Sequence, residues 1–348
     1  MYVINIGLGN PPLALQTQVD SSWGPLFRLN QTVYITHPTY NSSSPSTYQS
    51  DLRPCQLEYF GQAGIFTWGI VSQDSIHVGD VELKNQLFEE ALIYNLSMIE
   101  GDDLFDTAVG LALYPIDDDW NTFPMNASSP FHSMVEQGLL DELLFGQTLG
   151  RPHQEIGELV LRGWPEDMDR DAAFQLPLTS EKEPSNDSFG NSSPAMDGNS
   201  SNTSTILTTQ NTIAIISSSY PWIALHQHIA DQANSQLGIR KFGGWVDCEK
   251  RAILPNLRVA LGPEGQEIEL TPWDYLIEAE DDRLDRIKCA IPFVGTHERN
   301  PQGLVILGSP LLNGLHSVFD AGRKSIWVAN RPRPGRSIDN TPATTPTL

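Results

Sequence analysis

Short stretches in which apolar and polar positions alternate recur along most of the chain, each closed by glycine, proline, asparagine or serine. Ile4 to Gly9, Ile70 to Val78 and Ile253 to Leu261 are examples, and the pattern predicts many short strands joined by turns, a mostly β fold. Helical periodicity is brief. Phe131 to Leu144 places Met134, Leu139, Leu140 and Leu143 on one side, and Ile223 to Leu237 places Leu225, Ile229 and Ala233 on another, which reads as amphipathic packing without a site. Two strand-like runs end alike. Leu13, Ala14, Leu15 and Val19 lead into Asp20-Ser21-Ser22-Trp23, and Ile213, Ala214, Ile215 and Ile216 lead into Ser217-Ser218-Ser219-Tyr220. Each tetrapeptide reads as a turn closing a buried strand. Gly110, in Ala108-Val109-Gly110-Leu111-Ala112, follows Asp20 by 90 residues, and Gly308, in Val305-Ile306-Leu307-Gly308-Ser309, follows Ser217 by 91. The echo implies an internal duplication in which one copy has lost its acid.

Length agrees with duplication, since 348 residues suffice for two lobes of about 170, each with its own core. The formal net charge of −22 argues against a nucleic-acid partner, because phosphate binding needs clustered Lys and Arg. An acidic surface suits an acidic compartment. No run of about 18 apolar residues occurs, so no membrane span is expected. Eight Asn-x-Ser/Thr sequons, at Asn30, Asn41, Asn95, Asn126, Asn186, Asn191, Asn199 and Asn202, point to the secretory route and a glycoprotein. Residues 181–210 are rich in Ser, Asn, Thr and Asp, too polar to order themselves, and read as a glycosylated insertion. Residues 331–348 read as a Pro/Thr-rich tail without the terminal apolar stretch of a GPI signal.

These stations resemble the pepsin-like aspartic peptidases, the two-lobed family in which each lobe offers one Asp from an Asp-Thr-Gly turn. The resemblance spans nearly the whole chain. Besides the two turns it rests on Tyr2-Val3-Ile4-Asn5-Ile6-Gly7-Leu8-Gly9-Asn10-Pro11, Ser46-Thr47-Tyr48, Tyr59-Phe60-Gly61 and Leu104-Phe105-Asp106-Thr107-Ala108-Val109-Gly110-Leu111-Ala112. The far end adds Leu304-Val305-Ile306-Leu307-Gly308 and Ser317-Val318-Phe319-Asp320. The resemblance implies a bilobal fold with pseudo-two-fold related β lobes, at residues 1–172 and 173–330, and an extended peptide bound between them. It makes Asp20 the retained family acid and Ser217 the position of the missing one. Tyr59 falls where the flap tyrosine lies and Phe27 where its partnering tryptophan falls. Ser21 and Ser218 keep the hydroxyl that helps lock the two turns together. Cys248 and Cys289 sit where the second-lobe bridge lies, worth roughly 4 kcal/mol on the chain-entropy model. Cys55 is then left over, a buried or idle thiol rather than a nucleophile. Relatives carry a signal, an inhibitory pro-segment and an additional first strand before the point where this chain opens, so a truncated start is expected. The usual aromatic hairpin entering the second lobe is expected to be degenerate or displaced by the insertion.

The chemistry of such enzymes needs two carboxylates about 3 Å apart sharing one proton, so that one takes a proton from water while the other protonates the peptide carbonyl. A serine at 217 removes that coupling. Ser22 and Ser219 replace the glycines that permit close approach, and Trp23 and Tyr220 stand where small hydroxyl residues are preferred. The expected function is therefore a pseudopeptidase that keeps a peptide-binding cleft, monomeric, without cofactor or metal. An active acid endopeptidase is the alternative, and a protein-binding or inhibitor-like surface on the same fold is a third. Gly7-Leu8-Gly9 is a turn, not a dinucleotide loop, and Asp117-Asp118-Asp119 lacks the spacing of a calcium loop. His226 and His228, two apart on a predicted helix, should diverge and hold no metal. No Gly-x-Ser-x-Gly elbow supports a serine hydrolase.

Overall fold

The computed structural model describes residues 2–29, 40, 42–43, 46–59, 65–95, 105–113, 128–151, 156–178, 194–196, 205–206, 213–238, 245–262, 265–281, 286–296 and 304–331. Strands dominate, as the alternation predicts. Seven from the first half form one sheet, in the order Val3–Leu8, Leu13–Asp20, Thr107–Gly110, Leu26–Leu29, Val81–Asn95, Ile65–Val78 and Gln49–Tyr59. Its longest hairpin, Ile65–Val78 with Val81–Asn95, closes through the two residues Gly79 and Asp80, with Gly79 at φ +58°. A two-residue hairpin loop needs that left-handed backbone to match the strand twist, which glycine adopts without strain.

The two apolar runs become equivalent elements. Leu13–Asp20 pairs in parallel with Thr107–Gly110, placing Asp20 opposite Gly110. Ile213–Ile216 pairs in parallel with Leu304–Leu307, placing Ile216 opposite Leu307, so that Ser217 and Gly308 come next. Behind each turn the return chain bonds alike. Gly110 and Ala112 donate to the carbonyls of Pro25 and Trp23, while Gly308 and Ser309 donate to those of Trp222 and Tyr220. A Cβ on Gly110 would lie 2.3 Å from the Trp23 carbonyl oxygen, and one on Gly308 would lie 2.1 Å from that of Tyr220. Only glycine fits either crossing.

Other second-half strands form a four-stranded sheet (Thr205–Ile206, Pro194–Met196, Leu257–Leu261, Gln266–Leu270) and a three-stranded one (Trp245–Val246, Arg286–Ala290, Ile277–Asp281). Ile213–Ile216 and Leu304–Leu307 share a sheet with Ile223–His226 and Phe293–Thr296. A five-stranded sheet joins the halves: Phe174–Pro177, Ser325–Asn330 and Leu315–Asp320 continue into Leu144–Thr148 and Glu158–Val160. Within it Phe319 pairs with Phe145, and their rings stack at 4.7 Å and 6°. Phe131 meets Phe145 edge-on, so one aromatic column ties a first-half helix to a second-half strand.

Both helical expectations need correction. The first helix is Pro130–Glu136, capped by Ser129, and it stops where Gly138 turns to φ +66°. Leu139, Leu140 and Leu143 therefore lie beyond it, and Leu144 opens a strand. The second pattern divides: Ile223–His226 is a strand held by Phe293–Thr296, and the helix is Gln227–Gln236. A short apolar run bounded by a turn serves either period, and here a neighbouring strand decided it. The expected strand from Ile253 begins only at Leu257, because residues Cys248–Ala252 form a 3-10 turn. The polar insertion also holds more order than its composition suggests, since Pro194–Met196 and Thr205–Ile206 pair as a hairpin on the edge of Leu257–Leu261. An adjacent strand offers that backbone the partners its own side chains cannot.

Candidate functional site: a carboxylate in a ring of serines

Asp20 and Ser217 both leave the ends of buried strands, and both are almost wholly buried, at 2% and 3% exposure. Reciprocal bonds between the next residues bring the two turns together. The Ser21 backbone N–H donates to Ser218 Oγ at 3.0 Å, and the Ser218 N–H donates to Ser21 Oγ at 3.1 Å. Each hydroxyl then passes its own proton to the strand of the other half, Ser21 to the Ile216 carbonyl at 3.1 Å and Ser218 to the Val19 carbonyl at 2.8 Å.

Inside this clasp Asp20 is surrounded by neutral donors. Its Oδ1 accepts from the Ser22 backbone N–H at 2.8 Å and from the Ser22 hydroxyl at 2.7 Å. Its Oδ2 accepts from the Ser219 hydroxyl at 2.6 Å. Ser217 is farther away, with Oγ 3.4 Å from Oδ1. That oxygen lies 2.9 Å from Ser22 Oγ and 3.1 Å from Ser219 Oγ, and it accepts the Tyr220 backbone N–H at 3.2 Å. Each hydroxyl carries one proton, so the two shortest contacts assign those of Ser22 and Ser219 to Asp20. The Ser217 proton is then left for Asp20 Oδ1 at 3.4 Å or Ser219 Oγ at 3.1 Å. The arrangement holds one carboxyl group and three hydroxyls, and the serine hydroxyls have no acid–base chemistry near neutral or acidic pH.

The sequence singled out Ser22 and Ser219 as side chains that crowd the turns, and missed that they bind Asp20. A serine two residues after an aspartate in a turn is a signal for the local bond to Ser22. Nothing local marks Ser219, which arrives from the other half of the chain. A cavity of about 230 Å³ lined by residues that include Tyr2, Val19, Gln147 and Leu159 reaches Val19 but does not include Asp20.

Tyr59 closes the strand Gln49–Tyr59, opposite Ile65, and Phe27 lies between Ala108 and Glu89 in the same sheet. Cys248 and Cys289 form a disulfide, and Cys55 is buried. Seven of the eight sequon asparagines lie outside the described residues, as do Asp117 to Asp119, and Asn95 ends the strand Val81–Asn95. His226 and His228 do not diverge. His226 precedes the helix in extended geometry, and the two Nδ1 atoms come within 2.7 Å. Cys248, Glu278 and Cys289 lie close enough to share a metal ion, but the sulfurs are bonded to each other and Arg251 pairs with Glu278.

One ionisable group escaped the sequence. Glu89 is fully buried; Thr67 donates to one of its oxygens, and the other has no hydrogen-bond partner among the described residues. Burial raises its carboxyl to about 8, against a small opposing effect of the Thr67 bond. The nearby Cys55 thiol is pushed up by burial and by Glu89.

A family model described as eukaryotic aspartyl protease matches residues 1–331. Vacuolar protease A of Aspergillus fumigatus is 29% identical over 342 residues, which covers 94% of this chain and 78% of that protein. Probable vacuolar protease A of Trichophyton verrucosum is 29% identical over 346 residues, with the same coverage of each chain. Cathepsin D of Dictyostelium discoideum is 30% identical over 346 residues, 94% of this chain and 82% of that one. With paired turns, paired glycine crossings and a sheet shared between its halves, the chain belongs to the eukaryotic aspartyl protease family and has its mostly β, pepsin-like bilobal fold.

Proposed function

We propose that this protein is a pseudopeptidase that binds an extended peptide between its lobes without cleaving it. The observation that carries this reading is that Ser217, a hydroxyl and not a carboxylate, lies beside Asp20 at the end of the matching strand, and that Asp20 is hydrogen-bonded through both oxygens to serine. Hydrolysis by this family's chemistry needs one acid to receive the proton of water and another to supply one to the carbonyl. Losing a coupled acid costs orders of magnitude in rate. Peptide binding has no such requirement, because main-chain pairing and side-chain pockets suffice. The names of the relatives and the sequons favour an acidic compartment reached by the secretory route, and a monomer is the expected state.

The test is incubation of the protein and Asp20→Ala with a mixed peptide library between pH 3 and 6, reading both cleavage and bound peptides. Bound peptides recovered whole are the expected result. Cleavage that disappears in Asp20→Ala overturns the reading and favours the second one, an active acid endopeptidase, which the retained Asp20 and the protease names of the relatives support.

A further inference from the structure

We propose that Ser22 and Ser219 are paired blocking residues, so that an acid at position 217 alone does not restore hydrolysis. The proposal rests on the pseudopeptidase reading and names what enforces it. Position 217 is the least intimate neighbour of Asp20 in the ring. Its oxygen is 3.4 Å from Oδ1, whereas the hydroxyls of Ser22 and Ser219 lie 2.7 Å and 2.6 Å from Oδ1 and Oδ2. The same two hydroxyls lie 2.9 Å and 3.1 Å from Ser217 Oγ. They therefore touch both members of the pair, each at a shorter distance than the pair's own contact.

An aspartate placed at 217 meets those two donors before it meets Asp20. A carboxylate only accepts hydrogen bonds, and each hydroxyl has one proton to give, so the serines can satisfy the two acids separately instead of letting them share a proton. The splitting of acid strengths that comes from direct contact is weakened. Water also meets competition. To be activated it must give a proton to a carboxylate oxygen at hydrogen-bond distance, and on Asp20 the N–H and hydroxyl of Ser22 already occupy Oδ1 while the Ser219 hydroxyl takes one of the two acceptor positions of Oδ2. Ser22 comes from the turn of Asp20 and Ser219 from the other turn, and the bonds between Ser21 and Ser218 fix the two turns together, so the backbone that carries each blocker is held at this spacing.

The experiment compares the parent protein with Ser217→Asp, with Ser22→Gly/Ser217→Asp/Ser219→Gly, and with Ser22→Ala/Ser217→Asp/Ser219→Ala. Initial rates on a fluorogenic peptide mixture are read from pH 3 to 6, with thermal unfolding by circular dichroism as the check on folding. The expected rate of Ser217→Asp is within about 10-fold of the parent, and each folded triple variant exceeds it by about 100-fold or more, the lower bound of acid–base catalysis, with a bell-shaped pH profile. The alanine version removes the hydroxyls without adding backbone freedom, so it carries the test if the glycine version does not fold. A rate in Ser217→Asp equal to that of the triples overturns the blocking role and leaves the pseudopeptidase reading standing. A folded triple no faster than Ser217→Asp also overturns it. Activity in the parent that vanishes in Asp20→Ala brings down the underlying reading instead.

Discussion

Ser21 and Ser218 hold each other across the two halves of the chain through four hydrogen bonds: their backbone N–H groups donate to each other's hydroxyls, and each hydroxyl donates onward to the opposite strand. Both residues are buried, so truncating either leaves donors and acceptors unpaired. Ser21→Ala and Ser218→Ala should each cost about 1–3 kcal/mol in urea unfolding. The double variant should cost clearly less than the sum, with a coupling of about 0.5 kcal/mol or more, because the first substitution already breaks most of what the second would lose. Additive losses would show that the two serines act independently.

Glu89 makes stability depend on acid. Its strand neighbours are Val71 and Phe27, its hydrogen-bond donor is Thr67, and the titratable group that senses it is Cys55, itself held neutral by burial. No charged group among the described residues acts on it appreciably. The folded-state value near 8 lies above the ordinary value of 4.5, so the unfolded chain releases its proton first. Stability from this group is fully present below about pH 4.5 and is lost as pH rises towards 8, by about 1.4 kcal/mol per pH unit. Glu89→Gln should flatten that slope and raise the melting temperature at pH 7 while changing little at pH 4. An unchanged slope would assign the pH dependence to other groups.

Arg151 and Asp274 form a buried ion pair at 2.8 Å, with side chains 4% and 2% exposed. Asp274 also accepts from the Thr271 N–H and hydroxyl, capping the helix Pro272–Tyr275. Arg151→Met leaves that carboxylate buried without its cation and should cost about 3–5 kcal/mol. Chemical denaturation at pH 7 measures it, and a loss below about 1 kcal/mol would mean that the carboxylate finds water or another donor.

The disulfide Cys248–Cys289 spans 41 residues of sequence. Chain entropy predicts that reduction, or Cys248→Ser/Cys289→Ser, lowers stability by about 4 kcal/mol. The midpoint of guanidinium unfolding with and without reductant tests it, and the buried Cys55 should label only after unfolding.

Much of this protein was legible in one dimension. Alternation and turn residues foretold a mostly β chain, and the matched runs ending at Asp20 and Ser217 foretold the duplication, because a buried strand closed by a tight turn leaves a local pattern. That position 217 carries a hydroxyl where the matching run carries an acid is likewise a fact of sequence at one position. Local patterns misled where a distant strand competed, as at Ile223–His226, whose pairing with Phe293–Thr296 shortened the expected helix and brought His226 onto His228. Tertiary structure alone decided where hydroxyl protons point and which buried acids find cations. Asp274 meets Arg151 from 123 residues away, whereas Glu89, among the described residues, is met by the hydroxyl of Thr67 and no cation. Ser219 reaches Asp20 across 199 residues. Sequence sets which groups each half carries, but a hydrogen bond depends on distances of a few tenths of an ångström, and only the packing of one half against the other fixes those.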